Sequence, residues 1–510
     1  MAQQIASPRI LRLPLFLLIW GIASVSMWLP ATHALVLDDH PTSQSFFYSG
    51  IVGLMLVTFI GLSMGNRVPR YGMLGQLLSL LATFAVLPLF LAVPVYDALQ
   101  NTSYLNAYFD MVSAVTTTGA DVFADPGRLP PSLHLWRAQV AWLGGLLMWI
   151  AASAVLAPLS LGGFEVTARG EPGRGGQVPA HLQRGDPRRQ LVIVTKALVP
   201  IYVGLTLALW VLLMMTGEQS LVGLSHAMSV MATSGISAVG GVENANSGLA
   251  GEMVMFLFMF FALSRLTFST DTTTSSQVRL DRDPEFRVGL ILIVGIPTLL
   301  FLRHWLAAFE VSASENVSQA LHSLWGAVFT VMSFLTTTGF ESADWVSTQK
   351  WSGLGTSGLI LLGLALVGGG VATTAGGVKL LRVYALYLNG LREMERLVHP
   401  SSVSGEGAGN KRLQKNGAFV AWVFFMLFAL TLAVISISLA ALGADFEQAL
   451  VLAIAALSTT GPLINVAGES AISLALLAPS AKVVLCFAMV LGRLETLAII
   501  ALLTPNLWRN

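Results

Sequence analysis

The chain has 510 residues, 55% of them hydrophobic and only 11% charged, with a formal net charge of +1. Soluble domains carry roughly 25% charged residues, so the composition is that of an all-α, multi-pass membrane protein with lipid as its surroundings. The near-zero charge argues against a nucleic-acid partner. A single cysteine, Cys486, excludes a disulfide framework and a cysteine metal site.

Two apolar spans come first, near residues 10–29 and 46–64. A bilayer takes about 20 residues to cross. No small-residue cleavage site follows the first span, so it reads as a retained helix rather than a signal peptide. A third span, 74–95, leads to a short apolar half-helix, 107–115, and a fourth span, 136–159, closes the unit. The same order recurs three times. The second unit has spans 191–215 and 252–268 around half-helix 224–232. The third has spans 288–301 and 352–367 around half-helix 324–335, and its second span breaks at glycines and continues toward 391. The fourth has spans 419–441 and 471–503 around half-helix 446–457. That makes ten spans, or twelve if the broken and the long span each count twice. The expected architecture is a two-helix segment, 1–70, followed by units at 71–165, 190–270, 285–392 and 417–510.

Polar connectors at 163–190, 269–286 and 392–416 separate the units, and the stretch 401–410 has the Ser/Gly-rich composition of a mobile segment. Alternating spans place these connectors and both termini on one face. That face holds 20 of the 28 Lys and Arg residues. Positive charge stays inside, which makes it cytoplasmic. The opposite segments carry Asp121, Asp125, Glu243, Glu341, Asp344 and Glu469, and an acidic outer mouth concentrates cations.

One motif follows each half-helix. It reads Thr116-Thr117-Thr118-Gly119, then Thr233-Ser234-Gly235, then Thr336-Thr337-Thr338-Gly339, then Ser458-Thr459-Thr460-Gly461, with the glycines 116, 104 and 122 residues apart. Extended Thr/Ser backbone around one axis turns carbonyls and hydroxyls inward. Glycine permits backbone conformations that other residues hold only at a cost. Four such segments make rings of oxygen that replace a cation's hydration shell, and the half-helices aim their negative C-terminal ends at the ion. Isolated Ser/Thr-Gly turns would not all fall at the same place in a repeated hydropathy pattern.

Three intramembrane features need a reason. The run 368–379 contains Gly368, Gly369, Gly370, Thr373, Thr374, Gly376 and Gly377. Irregular backbone at membrane depth is tolerated where it lines a cavity, which suggests a loop obstructing the path below the filters. A kink or a small-residue helix contact is the simpler alternative. Arg493, beside Glu495, is an ionisable residue in the last span and a functional candidate. A fixed positive charge there raises the barrier to cations, and it has Glu495 or a loop carbonyl as possible partners. Lys196 and Arg265 sit close enough to the inner face to snorkel. Lys482 has no evident role, and Trp136, Trp142, Trp149, Trp351 and Trp422 suit interface belts or lipid contacts.

Four span–half-helix–filter–span units in one chain resemble the TrkH/TrkG/KtrB/HKT superfamily of potassium transporters. The two extra N-terminal helices, the Gly-rich run 368–379, Trp142-Leu143-Gly144-Gly145 and Leu491-Gly492-Arg493-Leu494-Glu495 are similar to the TrkH branch. The resemblance implies a K+ path lined by backbone around Gly119, Gly235, Gly339 and Gly461, with K+ as substrate and no organic cofactor in this chain. Glycine at all four positions favours K+; serine in the first goes with Na+ permeation. It also implies a gate at 368–377 and Arg493 as a pore-blocking charge. A homodimer in the cytoplasmic (inner) membrane and a cytosolic ring of nucleotide-binding RCK subunits are implied as well. The filter pieces Thr233-Ser234-Gly235 and Ser458-Thr459-Thr460-Gly461, and the loop order Ala372-Thr373-Thr374-Ala375, depart from the commonest versions, which bears on fine selectivity and regulation.

Two further transport readings compete: Na+-permeable or Na+/H+-coupled K+ uptake (symport), and a secondary transporter of an organic solute. The latter calls for two inverted halves, whereas the four units here have one orientation. No H-E-x-x-H or other acid/base cluster points to an enzyme.

Overall fold

The computed structural model describes residues 13–64, 72–123, 125–157, 187–264, 283–306, 317–398, 408–468 and 470–495. Among them every regular element is a helix. The N-terminal segment forms α1 (Leu15–Ser26), α2 (Trp28–Val36) and α3 (His40–Met64). The first unit has α4 (Gly72–Ala85), α5 (Leu87–Ala98), the half-helix α6 (Tyr104–Val115) and α7 (Pro131–Ala151). The second has α8 (Pro187–Met215), half-helix α9 (Ser220–Ala232) and α10 (Gly248–Leu263). The third has α11 (Pro284–Leu306), half-helix α12 (Val317–Leu335), α13 (Trp345–Ser352), α14 (Ser357–Val367) and α15 (Leu380–Val398). The fourth has α16 (Ala408–Ala441), half-helix α17 (Phe446–Leu457), the short α18 (Leu463–Val466) and α19 (Pro479–Leu494). Among the described residues seven helical segments are long and apolar enough to cross a membrane, or eight if the bent pair α13–α14 is one span.

The four units close into a ring. Each half-helix packs between its own flanking helices. The helix after each Thr/Ser-Gly motif also packs on the next unit's half-helix: α7 on α9, α10 on α12, α14 on α17, and α19 back on α6. Small residues also let these helices approach the half-helix of their own unit. A Cβ on Gly144 of α7 would lie 2.0 Å from the Val115 carbonyl, and one on Gly492 of α19 would lie 2.3 Å from that of Leu457. The N-terminal helices pack outside the ring. Phe46 meets Trp136 edge-on at 5.5 Å, and Gln139 Nε2 donates to the Ser26 carbonyl at 2.8 Å.

Several boundaries differ from expectation. The half-helix expected at 107–115 starts at Tyr104, where Ser103 Oγ accepts from Asn106 N at 3.3 Å and caps it. Those expected at 224–232 and 324–335 start at Ser220 and Val317. The span expected at 352–367 does not begin at Ser352, which ends α13. Gly353, at φ +59°, terminates that helix, and α14 leaves at 118° to it. The connector 392–416 is helical to Val398 and again from Ala408. Arg265, Glu469 and residues 401–407 lie outside the described residues, as do most of the connectors 163–190 and 269–286 and both termini. Trp136, Trp149 and Trp351 are buried, not belt residues. Trp149 packs edge-on against Phe261 at 4.8 Å, and Trp351 stacks on His304 at 4.0 Å. Trp142 donates to Thr206 Oγ1 at 2.9 Å. Trp422 is exposed, as a lipid contact requires.

Candidate functional site

Each half-helix ends in the same unusual backbone. The threonine two residues before each motif glycine is left-handed: Thr117 at φ +55°, Thr233 at +51°, Thr337 at +57° and Thr459 at +53°. A β-branched residue at positive φ is an outlier in ordinary structure, and strain of this kind concentrates at functional sites. The next N–H always reaches back five residues into the half-helix. Thr118 N donates to Ser113 O at 2.8 Å, Ser234 N to Ser229 O at 3.0 Å, Thr338 N to Ser333 O at 2.8 Å and Thr460 N to Ala455 O at 2.9 Å. Alternating right- and left-handed residues bring successive N–H groups to one side. Here the Thr118, Ser234, Thr338 and Thr460 N–H groups face the half-helix.

The four segments meet in cyclic order. A Cβ on Gly119 would lie 1.7 Å from Ser234 O, and one on Gly235 would lie 2.4 Å from Thr338 O. On Gly339 it would meet Pro462 Cγ at 2.9 Å, and on Gly461 it would meet Ala120 N at 2.1 Å. Gly461 N donates to Thr118 O at 2.6 Å, joining the fourth segment to the first. Many hydroxyls are occupied within their own segment: Thr116 with Thr118 at 2.8 Å, Thr336 with Thr338 at 3.1 Å, and Ser458 with Thr460 at 3.2 Å. Thr116 through Gly119, Thr233 through Gly235, Thr337 through Gly339, Thr459, Thr460 and Gly461 all come together, and the Thr117 and Thr459 hydroxyls have no partner among the described residues.

The run 368–377 is non-helical and lies against three of these segments. Gly376 N donates to Thr337 Oγ1 at 2.7 Å, and Thr374 Oγ1 donates to Met231 O at 3.1 Å. A Cβ on Gly376 would lie 2.1 Å from Ser458 O. The loop is anchored at its sides. Gly370 N donates to Ala262 O at 3.0 Å, Val371 N to Glu285 Oε1 at 2.8 Å, and Thr373 Oγ1 to Gly370 O at 2.8 Å. Gly368 and Gly377 have positive φ and close on each other. Arg493 is buried and donates from Nη1 to Thr374 O at 2.6 Å. Of its two expected partners, the loop carbonyl is the one it meets. Glu495 instead pairs with Arg382 at 2.6 Å, and that guanidinium lies 3.7 Å over Phe424. Lys379 Nζ donates to Ala375 O.

Residues that sequence reading missed or left without a role stand behind this assembly. Lys482 donates to Asn106 Oδ1 at 2.8 Å, which gives it a partner. Glu252 accepts from Trp325 Nε1, Ser342 Oγ and Ala343 N at 2.7–2.8 Å, holding the segment after Gly339. Arg137 pairs with Asp110 at 3.0 Å and Asp121 at 2.9 Å. The available signal was an ionisable residue inside an apolar stretch. In the segment after Gly339, burial and then the neighbouring Glu243 carboxylate push Glu341 up to about 7. Burial also raises Glu243. Among the described residues no His/Cys/Asp/Glu group fits a metal ion.

A family model described as "TrkH: Cation transport protein" matches residues 79–509. The Trk system potassium uptake protein TrkH of Salmonella typhimurium is 29% identical over 96% of both chains. Its namesake in Halomonas elongata is 31% identical over 85% of this chain and 84% of that one. The crystal structure of the potassium transporter TrkH from Vibrio parahaemolyticus matches with a TM-score of 0.79 at 27% identity, covering 98% of this chain and 99% of that chain. With the family model matched over most of its length, and with an all-helical, multi-pass architecture to accompany it, this chain is a member of the TrkH family of cation transport proteins, a family of transporters rather than enzymes.

Proposed function

We propose that the chain takes up K+ across the cytoplasmic membrane through one pore, selected by the four Thr/Ser-Gly segments and gated by the loop 368–377. The observation that carries this reading is the recurrence of a left-handed threonine two residues before each of four glycines that meet in a ring. Such a ring offers backbone oxygen to a dehydrated monovalent cation, and the four half-helices add their negative ends. The units at 71–165, 190–270, 285–392 and 417–510 each supply one quarter of the path, with 1–70 as a peripheral helix pair. Arg493 holds the loop under the filters and places a positive charge in the cation's way. Both termini face the cytoplasm, and a homodimer regulated by a cytosolic nucleotide-binding RCK ring completes the assembly.

A membrane potential contributes about 2.3 kcal/mol per charge per 100 mV, so no coupled ion is required for accumulation. The test is K+ and Na+ uptake by purified protein in liposomes under an interior-negative potential. Selective K+ uptake supports the reading. Equal Na+ uptake, or uptake that requires Na+ or H+ in fixed ratio, favours the coupled alternative. If deletion of residues 369–376 opens no cation path either, the pore reading fails.

A further inference from the structure

Asp110, Arg137 and Asp121 join three elements behind the first filter segment. Asp110 lies on the half-helix α6, one turn before Ser113, whose hydroxyl donates to the Ala120 carbonyl at 2.9 Å. Asp121 follows Ala120 directly and so sits two residues beyond Gly119. Arg137 reaches from α7 to both: Nε donates to Asp110 Oδ1 at 3.0 Å, and Nη2 to Asp121 Oδ1 at 2.9 Å. Arg137 and Asp110 are almost wholly buried, while Asp121 is about one-third exposed. Arg137 Nη1 and Asp110 Oδ2 have no partner among the described residues, so two bonds carry the whole contact.

The other segments are held differently. In the second, His226 Nε2 and Ser237 Oγ meet at 2.8 Å, and the Ser229 and Ser234 hydroxyls at 3.1 Å. The third is held by Glu252 from the preceding unit. The fourth rests on the first, because Gly461 N donates to Thr118 O and Gly461 packs on Ala120. A shift of the first segment therefore moves the fourth as well.

We propose that Arg137 is a positioning residue for ion selection: by bridging Asp110 and Asp121 it fixes the first filter segment against its half-helix, and through that segment the fourth. This rests on the K+ pathway reading. Arg137 does not touch the ion; it sets the spacing of the carbonyls that do. A coordination site loses discrimination when its supporting shell is loose by even a fraction of an ångström.

The test compares K+ against Na+ flux in liposomes for Asp121→Ala, Asp121→Glu, Arg137→Lys and Asp125→Ala, each checked for folding by size exclusion and thermal melting. Asp125 is the control for lost outer charge, since its carboxylate accepts from Gly127 N at 2.9 Å. The proposal predicts that Asp121→Ala and Arg137→Lys lower the K+/Na+ ratio about tenfold, the loss of one hydrogen bond between charged groups. Asp121→Glu recovers much of the ratio, and Asp125→Ala leaves it unchanged. A folded Asp121→Ala protein with the wild-type ratio overturns the proposal, as does an equal fall in Asp125→Ala. If neither Asp121→Ala nor Arg137→Lys yields folded protein, the bridge serves folding and the proposal is likewise overturned. A wild type without K+ preference instead removes the pathway reading itself.

Discussion

Arg493 donates from Nη1 to the Thr374 carbonyl at 2.6 Å, while the Thr374 hydroxyl donates to Met231 O at 3.1 Å. One loop residue is thus held by the last helix of the fourth unit and by the end of the second unit's half-helix. A hydrogen bond from a charged donor contributes about 1.5–3 kcal/mol. Arg493→Ala should therefore raise cation flux about tenfold or more in liposomes lacking any cytosolic partner, and Arg493→Lys should raise it less. Flux equal to wild type in folded Arg493→Ala protein would detach this residue from the gate.

Gly376 marks where the loop meets the fourth Thr/Ser-Gly segment. A Cβ there would lie 2.1 Å from Ser458 O and 2.2 Å from Thr459 Oγ1. Gly376→Ala should push the loop away, raising basal flux while leaving the K+/Na+ ratio near wild type. A fall in flux would mean that the displaced loop blocks the path more tightly.

The Arg382–Glu495 pair is buried and links α15, which leaves the loop, to the end of α19. Removing one partner of a buried pair takes away the carboxylate that offsets a desolvated guanidinium, at a cost that reaches about 3–5 kcal/mol. Glu495→Ala should lower the melting temperature in detergent by several degrees, and Arg382→Met/Glu495→Leu should lose less than Glu495→Ala alone. Equal melting for Glu495→Ala and wild type would show that the pair contributes little.

Under the proposed pathway, Glu341 gives the outer mouth a pH dependence. Burial first, and the Glu243 carboxylate second, push it from 4.5 up to about 7. The folded protein prefers the neutral acid, so the stability this preference contributes is present below 4.5 and is lost as pH rises to about 7. Its charge at the mouth appears over the same rise. K+ uptake at limiting K+ should increase as external pH goes from about 6 to about 8, and Glu341→Gln should flatten that increase. An unchanged pH profile in Glu341→Gln would assign the dependence elsewhere.

The repeated motifs were legible because their physics is local. Each motif needs a half-helix, hydroxyl-bearing residues and a glycine in sequence, and Gly119, Gly235, Gly339 and Gly461 stand where neighbouring segments leave no room for a side chain. The loop was legible for the same reason: a glycine run cannot continue an apolar helix. Pairing was not legible. Asp110 and Arg137 are separated by 27 residues, and Arg382 and Glu495 by 113, so Asp110, Arg137 and Arg382 read as lone charges and Glu495 as a partner of the nearby Arg493 until the ring closes. The bend at Gly353 was hidden because glycine is equally common inside membrane helices. Trp136 suited an interface belt until the N-terminal helices were placed over it.

The most direct measurement is the K+/Na+ flux ratio of wild type and Gly119→Ser under an interior-negative potential. Gly119 has φ +69°, and a side chain there would collide with Ser234 O. A K+-selective wild type and a Gly119→Ser protein that admits Na+ are the predicted result, with the ratio falling about tenfold or more. Folded Gly119→Ser protein that keeps the wild-type ratio would contradict the claim that these four segments form one selective filter.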